Sequence, residues 1–108
     1  MMQHSLITTV KRYTDFPDSE AVYLFSFFEE RKYKRNVMLL EEGSVAHEVY
    51  FITKGALRQY ITTEEGVERT CNFAVECDFL TDLESFSRQS RSASNIVTLE
   101  PTTCLVIN

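Results

Sequence analysis

The chain has 108 residues, enough for one domain with a modest core. Its hydrophobic content of 44% and aromatic content of 12%, all of it Phe and Tyr, exclude a disordered tail. The net charge is -5, with eleven Asp/Glu against five Lys/Arg from Asn36 onward, which excludes a phosphate-backbone binder acting on its own.

The first residues are expected to fray. Ser5 suits the cap of a short helix with Leu6, Ile7 and Val10 on its apolar side, and Pro17 closes that element. Asp18 or Ser19 caps a second helix, whose stripe of Ala21, Leu24, Phe25 and Phe28 is widened by Val22 and faces the core. Tyr23 and Phe27 stand off that stripe, at its rim. Arg31, Lys32, Lys34 and Arg35 follow, and cations near a helix C-terminus have a structural role without nucleic acid. Residues 1–35 are thus expected to form a helical lead-in.

Residues 36–66 organise the rest: three short apolar runs punctuated by glycine turns. Residues 37–40 and 49–53 read as strands, with a turn at Glu41, Glu42 and Gly43 between them. Lys54 and Gly55 turn the chain into a third strand over 56–62, and residues 63–66 make a hairpin loop. Val67, Arg69, Cys71 and Phe73 alternate with Glu68, Thr70 and Asn72, which predicts a strand with one wet face. Residues 79–86 read as a short helix or turn with Phe79, Leu83 and Phe86 inward, and 87–92 as a polar loop. Strands over 94–100 and 104–107 complete a mainly β domain, a sandwich, barrel or roll of antiparallel sheet.

Catalysis and metal binding find no support in the residues. Cys71, Cys77 and Cys104 have no paired spacing and read as buried free thiols in a reducing compartment. His4 and His47 are too far apart for a clustered metal site, and no serine or cysteine has a histidine placed by pattern. No enzyme is expected. No apolar run is long enough to span a membrane and no signal peptide is visible, so a cytoplasmic location is the expectation.

A more specific likeness lies in the order of Tyr33 and Lys34; Leu39, Leu40, Glu41, Glu42 and Gly43; Glu48, Val49, Tyr50, Phe51 and Ile52; Lys54 and Gly55; and Glu65 and Gly66. Asp82, Ser85 and Phe86, then Ile96, Leu99 and Glu100, continue it. With these motifs the chain resembles the N-terminal, cyclic-nucleotide-binding-like sensor domain of Crp/Fnr-family transcription regulators. The resemblance implies a double-stranded β-helix, a jelly-roll-like β-roll over 36–108 flanked by the N-terminal helices. It also implies a homodimer, and DNA contact only through a C-terminal domain expected after Asn108.

The same resemblance implies a pocket for a cyclic nucleotide or another small anionic ligand. Family members hold the phosphate with a Gly-Glu turn, a short helix and an arginine, chemistry that suits an anion. Asp82 stands where the glutamate is expected, Thr81 where the glycine is, and Ser92 lies nearer the arginine position than Arg91 does. Phe79, Thr81, Asp82, Arg91 and Ser92 are the expected ligand contacts, with Arg58 and Arg69 as further cations that a roll turns inward or leaves wet. With Thr81 and the displaced arginine, the expected binding of cyclic nucleotide is weak or absent. The alternative reading is a regulatory interaction module of another signalling protein, or a non-binding roll serving as a dimerisation scaffold.

Overall fold

The computed structural model describes residue 23 and residues 26–108. The helices expected over 6–10 and 21–28 lie outside these residues apart from Tyr23 and positions 26–28. Eight strands form two four-stranded sheets: β1 (Glu29–Tyr33), β2 (Met38–Leu40), β3 (Val49–Lys54), β4 (Leu57–Thr62), β5 (Glu68–Ala74), β6 (Phe79–Leu80), β7 (Asn95–Thr98) and β8 (Thr102–Ile107). One sheet has the order β1-β8-β3-β6 and the other β2-β7-β4-β5, with all pairings antiparallel. The short helix α1 (Leu83–Arg88) joins β6 to β7. This is a mainly β, two-sheet jelly roll.

The core lies between the sheets, where Leu40, Tyr50, Ile52, Leu57, Leu80, Ile96, Cys104 and Val106 meet. β3 and β8 read as nearly continuous apolar runs because each is buried on both faces. Their outward residues, Phe51 and Leu105, make a second cluster roofed by Phe28 and Cys77. Phe79 packs against Phe51 in the same layer, with ring centroids 4.8 Å apart and the rings tilted by 51°.

Four expectations are corrected. Glu29–Tyr33, placed in the helical lead-in, is a strand. It covers an edge of β8, and Arg31 there donates from Nη1 to Glu48 Oε2 at 2.5 Å and from Nη2 to Glu29 Oε2 at 2.9 Å. Pairing with a distant strand thus outweighs the helical pattern of the residues before it. In the 79–86 stretch, Phe79 and Leu83 face outward instead of inward; Leu80 and Ser85 are the buried positions. Only Cys104 of the three free thiols is buried, Cys71 being exposed and Cys77 half-buried.

The fourth correction concerns β5. Gln59 pairs with Asn72 but Tyr60 pairs with Thr70, so Cys71 is an extra residue on the strand. This bulge breaks the expected alternation of Val67, Arg69, Cys71 and Phe73. Partners in register share a face. Arg69, opposite Ile61, therefore lies on the face of Gln59, whereas Phe73, opposite Arg58, lies on the other.

Gly55 is the turn that the packing cannot spare. Its φ is +114°, and an added Cβ would run into Thr102, 2.7 Å from that residue's Cα and closer still to its hydroxyl. Gly66, with φ +83°, has open space around it. Gly55→Ala is expected to cost about 2 kcal/mol or more, lowering the melting temperature by roughly 8 °C or more, and Gly66→Ala only about 1 kcal/mol. Equal losses in thermal melts of the two variants would contradict this. Burial also pushes the Cys104 thiol up to about 12. A thiol reagent at neutral pH is therefore expected to modify Cys71 promptly and Cys104 only on unfolding, as peptide mapping of the labelled chain would show.

Candidate functional site

The segment from β6 through α1 to β7 lies across one end of the roll. Thr81 ties its start to the head of β3, donating from Oγ1 to the Glu48 carbonyl at 2.8 Å. Asp82 is the N-cap of α1: its backbone is extended and Oδ1 accepts from the Ser85 amide at 3.1 Å. Glu84 in the first turn and Arg88 in the last follow the helix dipole, and Gln89 closes the helix in the left-handed region with φ 52°. Ser85 is buried on the inner side, accepting from the Ala46 amide at 2.8 Å and donating to the Ser90 carbonyl at 2.5 Å.

The other carboxylate oxygen of Asp82 carries the centre of the site. Oδ2 accepts from Ser92 Oγ at 2.6 Å and from Ser94 Oγ at 2.8 Å. Ser94 Oγ in turn accepts from Gln59 Nε2 at 2.9 Å, and Gln59 Oε1 accepts from Asn72 Nδ2 at 3.1 Å. The chain of donors runs from β5 through β4 and the start of β7 to α1. Among the described residues, no buried side-chain nitrogen or oxygen lacks a partner. Burial drives the Asp82 carboxyl upward, but the hydrogen bonds from Ser92, the Ser85 amide and Ser94 prevail and hold it below the usual carboxylate range.

The expected ligand contacts are therefore only partly assembled. Asp82 and Ser92 meet, and Thr81 adjoins them. Phe79 is turned to Phe51 in the outer layer. Arg58 lies on the face of β4 opposite Gln59, donates to Thr70 Oγ1 at 2.8 Å and Glu68 Oε1 at 2.9 Å, and sits 4.4 Å from the centroid of the Tyr60 ring. Arg91 is exposed beside the inward-turned Ser92, its backbone bridged to Val45. Arg69 shares the Gln59 face but is exposed, close to the loop of the β4–β5 hairpin. Among the described residues, no guanidinium is hydrogen-bonded to Asp82, Ser92 or Ser94.

Sequence reasoning missed Ser94, Gln59 and Asn72. The signal for Ser94 was the alternation Ser90, Ser92, Ser94, small polar residues at every second position entering a strand. Gln59 carried a weaker one, a lone amide between apolar inward neighbours Leu57 and Ile61.

A second polar group lies at the head of β3. Glu48 takes Arg31 on one oxygen and the Tyr50 hydroxyl on the other, at 3.0 Å. Burial first, then the charge of Glu48, lifts the Tyr50 phenol above its ordinary value, so it stays a donor. Beside it opens a cavity of about 340 Å³ lined by Leu39, Ala46, His47, Glu48, Tyr50 and Thr81 among others. Among the described residues, no three His, Cys, Asp or Glu side chains are grouped to hold a metal ion, and no helix is long and apolar enough to cross a membrane.

Residues 30–108 match the family described as the cyclic nucleotide-binding domain. No curated protein matches the chain. Among solved structures, the fold resembles a cyclic nucleotide-binding domain from Methylobacillus flagellatus KT, at TM-score 0.87 and 18% identity, over 99% of this chain and 61% of that one. It also resembles the Thermus thermophilus catabolite activator protein, at TM-score 0.77 and 21% identity over 85% of this chain and 43% of that one. A third likeness is to the regulatory subunit of a cAMP-independent protein kinase A from Trypanosoma cruzi bound to guanosine, at TM-score 0.75 and 15% identity over 86% of this chain and 33% of that one. At such identities the likeness is one of fold.

The depressed carboxyl sets a pH dependence. A group whose folded value lies below its unfolded one stabilises fully above the unfolded value, and the gain is lost as pH falls through the folded value. Asp82→Asn is thus expected to cost about 1–3 kcal/mol at pH 7. The gap from the parent chain should narrow once pH falls below about 4. Melts across pH would check this, and a deficit that stays constant into strong acid would refute the assignment.

Proposed function

This chain belongs to the cyclic nucleotide-binding domain family, and from that premise we propose that it is the regulatory module of a larger signalling protein, with a pocket closed by its own hydrogen bonds instead of by a cyclic nucleotide. The family is a regulatory, non-catalytic one. The observation that carries the reading is the Asp82 carboxylate, held by Ser92 and Ser94 where a ligand phosphate would need positive charge. Family members answer the phosphate with an arginine, whereas among the described residues no guanidinium reaches this carboxylate, so a bound phosphate would go uncompensated.

The finer reading is the N-terminal sensor of a Crp/Fnr-type transcription factor, a cytoplasmic homodimer contacting DNA through a domain after Asn108. The likeness to the Thermus thermophilus activator supports it. The likeness to a kinase regulatory subunit supports a module outside transcription to a similar degree. That subunit is called cAMP-independent, and it favours a member of this fold that works without the cyclic nucleotide. The acidic balance of the roll fits either assignment, since any DNA-reading surface would lie elsewhere. A helix-turn-helix encoded downstream of Asn108 would select the transcriptional reading. In both, Thr81, Asp82 and Ser92 form the site, Arg91 is the cation nearest to it in sequence, and any ligand it admits is uncharged or cationic.

Calorimetric titration with cAMP and with cGMP is expected to give no saturable heat at roughly 0.1 mM ligand. Submicromolar affinity for either would overturn the closed pocket.

A further inference from the structure

Apolar side chains stand exposed on one flank of the roll, where the two sheets part. Phe73 on β5 is 64% exposed, Phe79 on β6 39%, and Leu83 at the start of α1 73%. They rim a groove. Two adjoining cavities of about 490 and 370 Å³ run between β5 and β6 and share Asn72, Phe79 and Leu80, with Phe73 along one and Leu83 and Phe86 along the other. An apolar patch joined to a groove in this way marks a contact site.

The charge around the groove is mainly negative. Residues 55–88, which build β4 through α1, carry seven carboxylates and three arginines. Asp78 lines the groove, and Glu84, next to the lining residue Leu83, is exposed. Arg58 is already paired with Glu68. A second copy of the chain would bring the same carboxylates face to face, which like-charge repulsion opposes, whereas a cationic partner is drawn in. The bulge at Cys71 interrupts the free edge of β5, so a strand cannot be added in register along it. Side chains seated in the groove are then the mode of contact.

We propose that this groove docks an extended segment of a partner protein, carrying an aromatic or branched apolar anchor flanked by lysine or arginine. The proposal rests on the reading of the chain as a regulatory module and names the kind of partner it engages. The apolar anchor supplies affinity in the groove, and the carboxylates supply orientation and encounter rate.

The test is fluorescence polarisation of a labelled peptide, Lys-Leu-Lys-Phe-Lys-Leu-Lys, titrated with the 108-residue chain, alongside a control with Glu in place of each Lys. The basic peptide is expected to bind and the acidic one not, and added salt should weaken the complex without abolishing it. Leu83→Ser and Phe73→Ser leave the charge unchanged, so a purely electrostatic attraction would survive them. Each is expected to weaken binding by about tenfold or more with the thermal melt unmoved. Equal binding of the acidic control, or indifference to both substitutions, would overturn the proposal. So would light scattering that shows a dimer which Leu83→Ser dissolves, for then a second copy fills the groove. Tight cyclic nucleotide binding would instead refute the closed pocket and leave this result to stand by itself.

Discussion

A carboxylate drawn into a half-shielded position must be answered by donors, and that requirement shapes this end of the roll. Asp82 is answered three times, by the Ser85 amide, Ser92 Oγ and Ser94 Oγ. One bond starts the helix. The other two pin the loop that returns from it into β7. Through Ser94, Gln59 and Asn72 the same group is linked to β4 and β5 in the facing part of the sheet. Partial satisfaction of such a network is costlier than its absence, so helix, loop and strands are held in one mutual arrangement. A site of this sort is pre-organised around its own anion.

Most of the architecture was legible in the residues, because the strands obey short-range rules. Val49, Phe51 and their alternating partners gave a strand over 49–53, and Lys54 with Gly55 gave its turn; both stand as read. What failed depended on partners distant in sequence. Glu29–Tyr33 looks like the tail of a helix until β8, some seventy residues on, offers an edge to pair with. The bulge at Cys71 has no glycine or proline to announce it, and one inserted residue reverses the facing of the rest of the strand. At the site, Thr81 and the displaced arginine are legible as departures from the pattern that the resemblance implies. The hydrogen bonds of Asp82 were not legible, since serines are common in loops and only the register brings Ser92 and Ser94 to one oxygen.

Fold and function separate cleanly in this molecule. Relatives in shape at 15–21% identity include a catabolite activator protein and a kinase regulatory subunit, so the roll itself names no output. The identity of the module lies in what departs from the shared plan: a negative, self-satisfied centre and an apolar groove with an acidic margin on the flank between β5 and β6.

The order of strands has a further bearing, on how the chain is made. β8 sits inside its sheet, between β1 and β3, yet it is the last strand of the roll. The other sheet has all its members once residue 98 has been synthesised. During translation, half of the sandwich is complete while β1 and β3 still flank an open slot. The emerging polypeptide must stay soluble with Phe51 and Ile52 uncovered until Thr102–Ile107 has left the ribosome and slid into place.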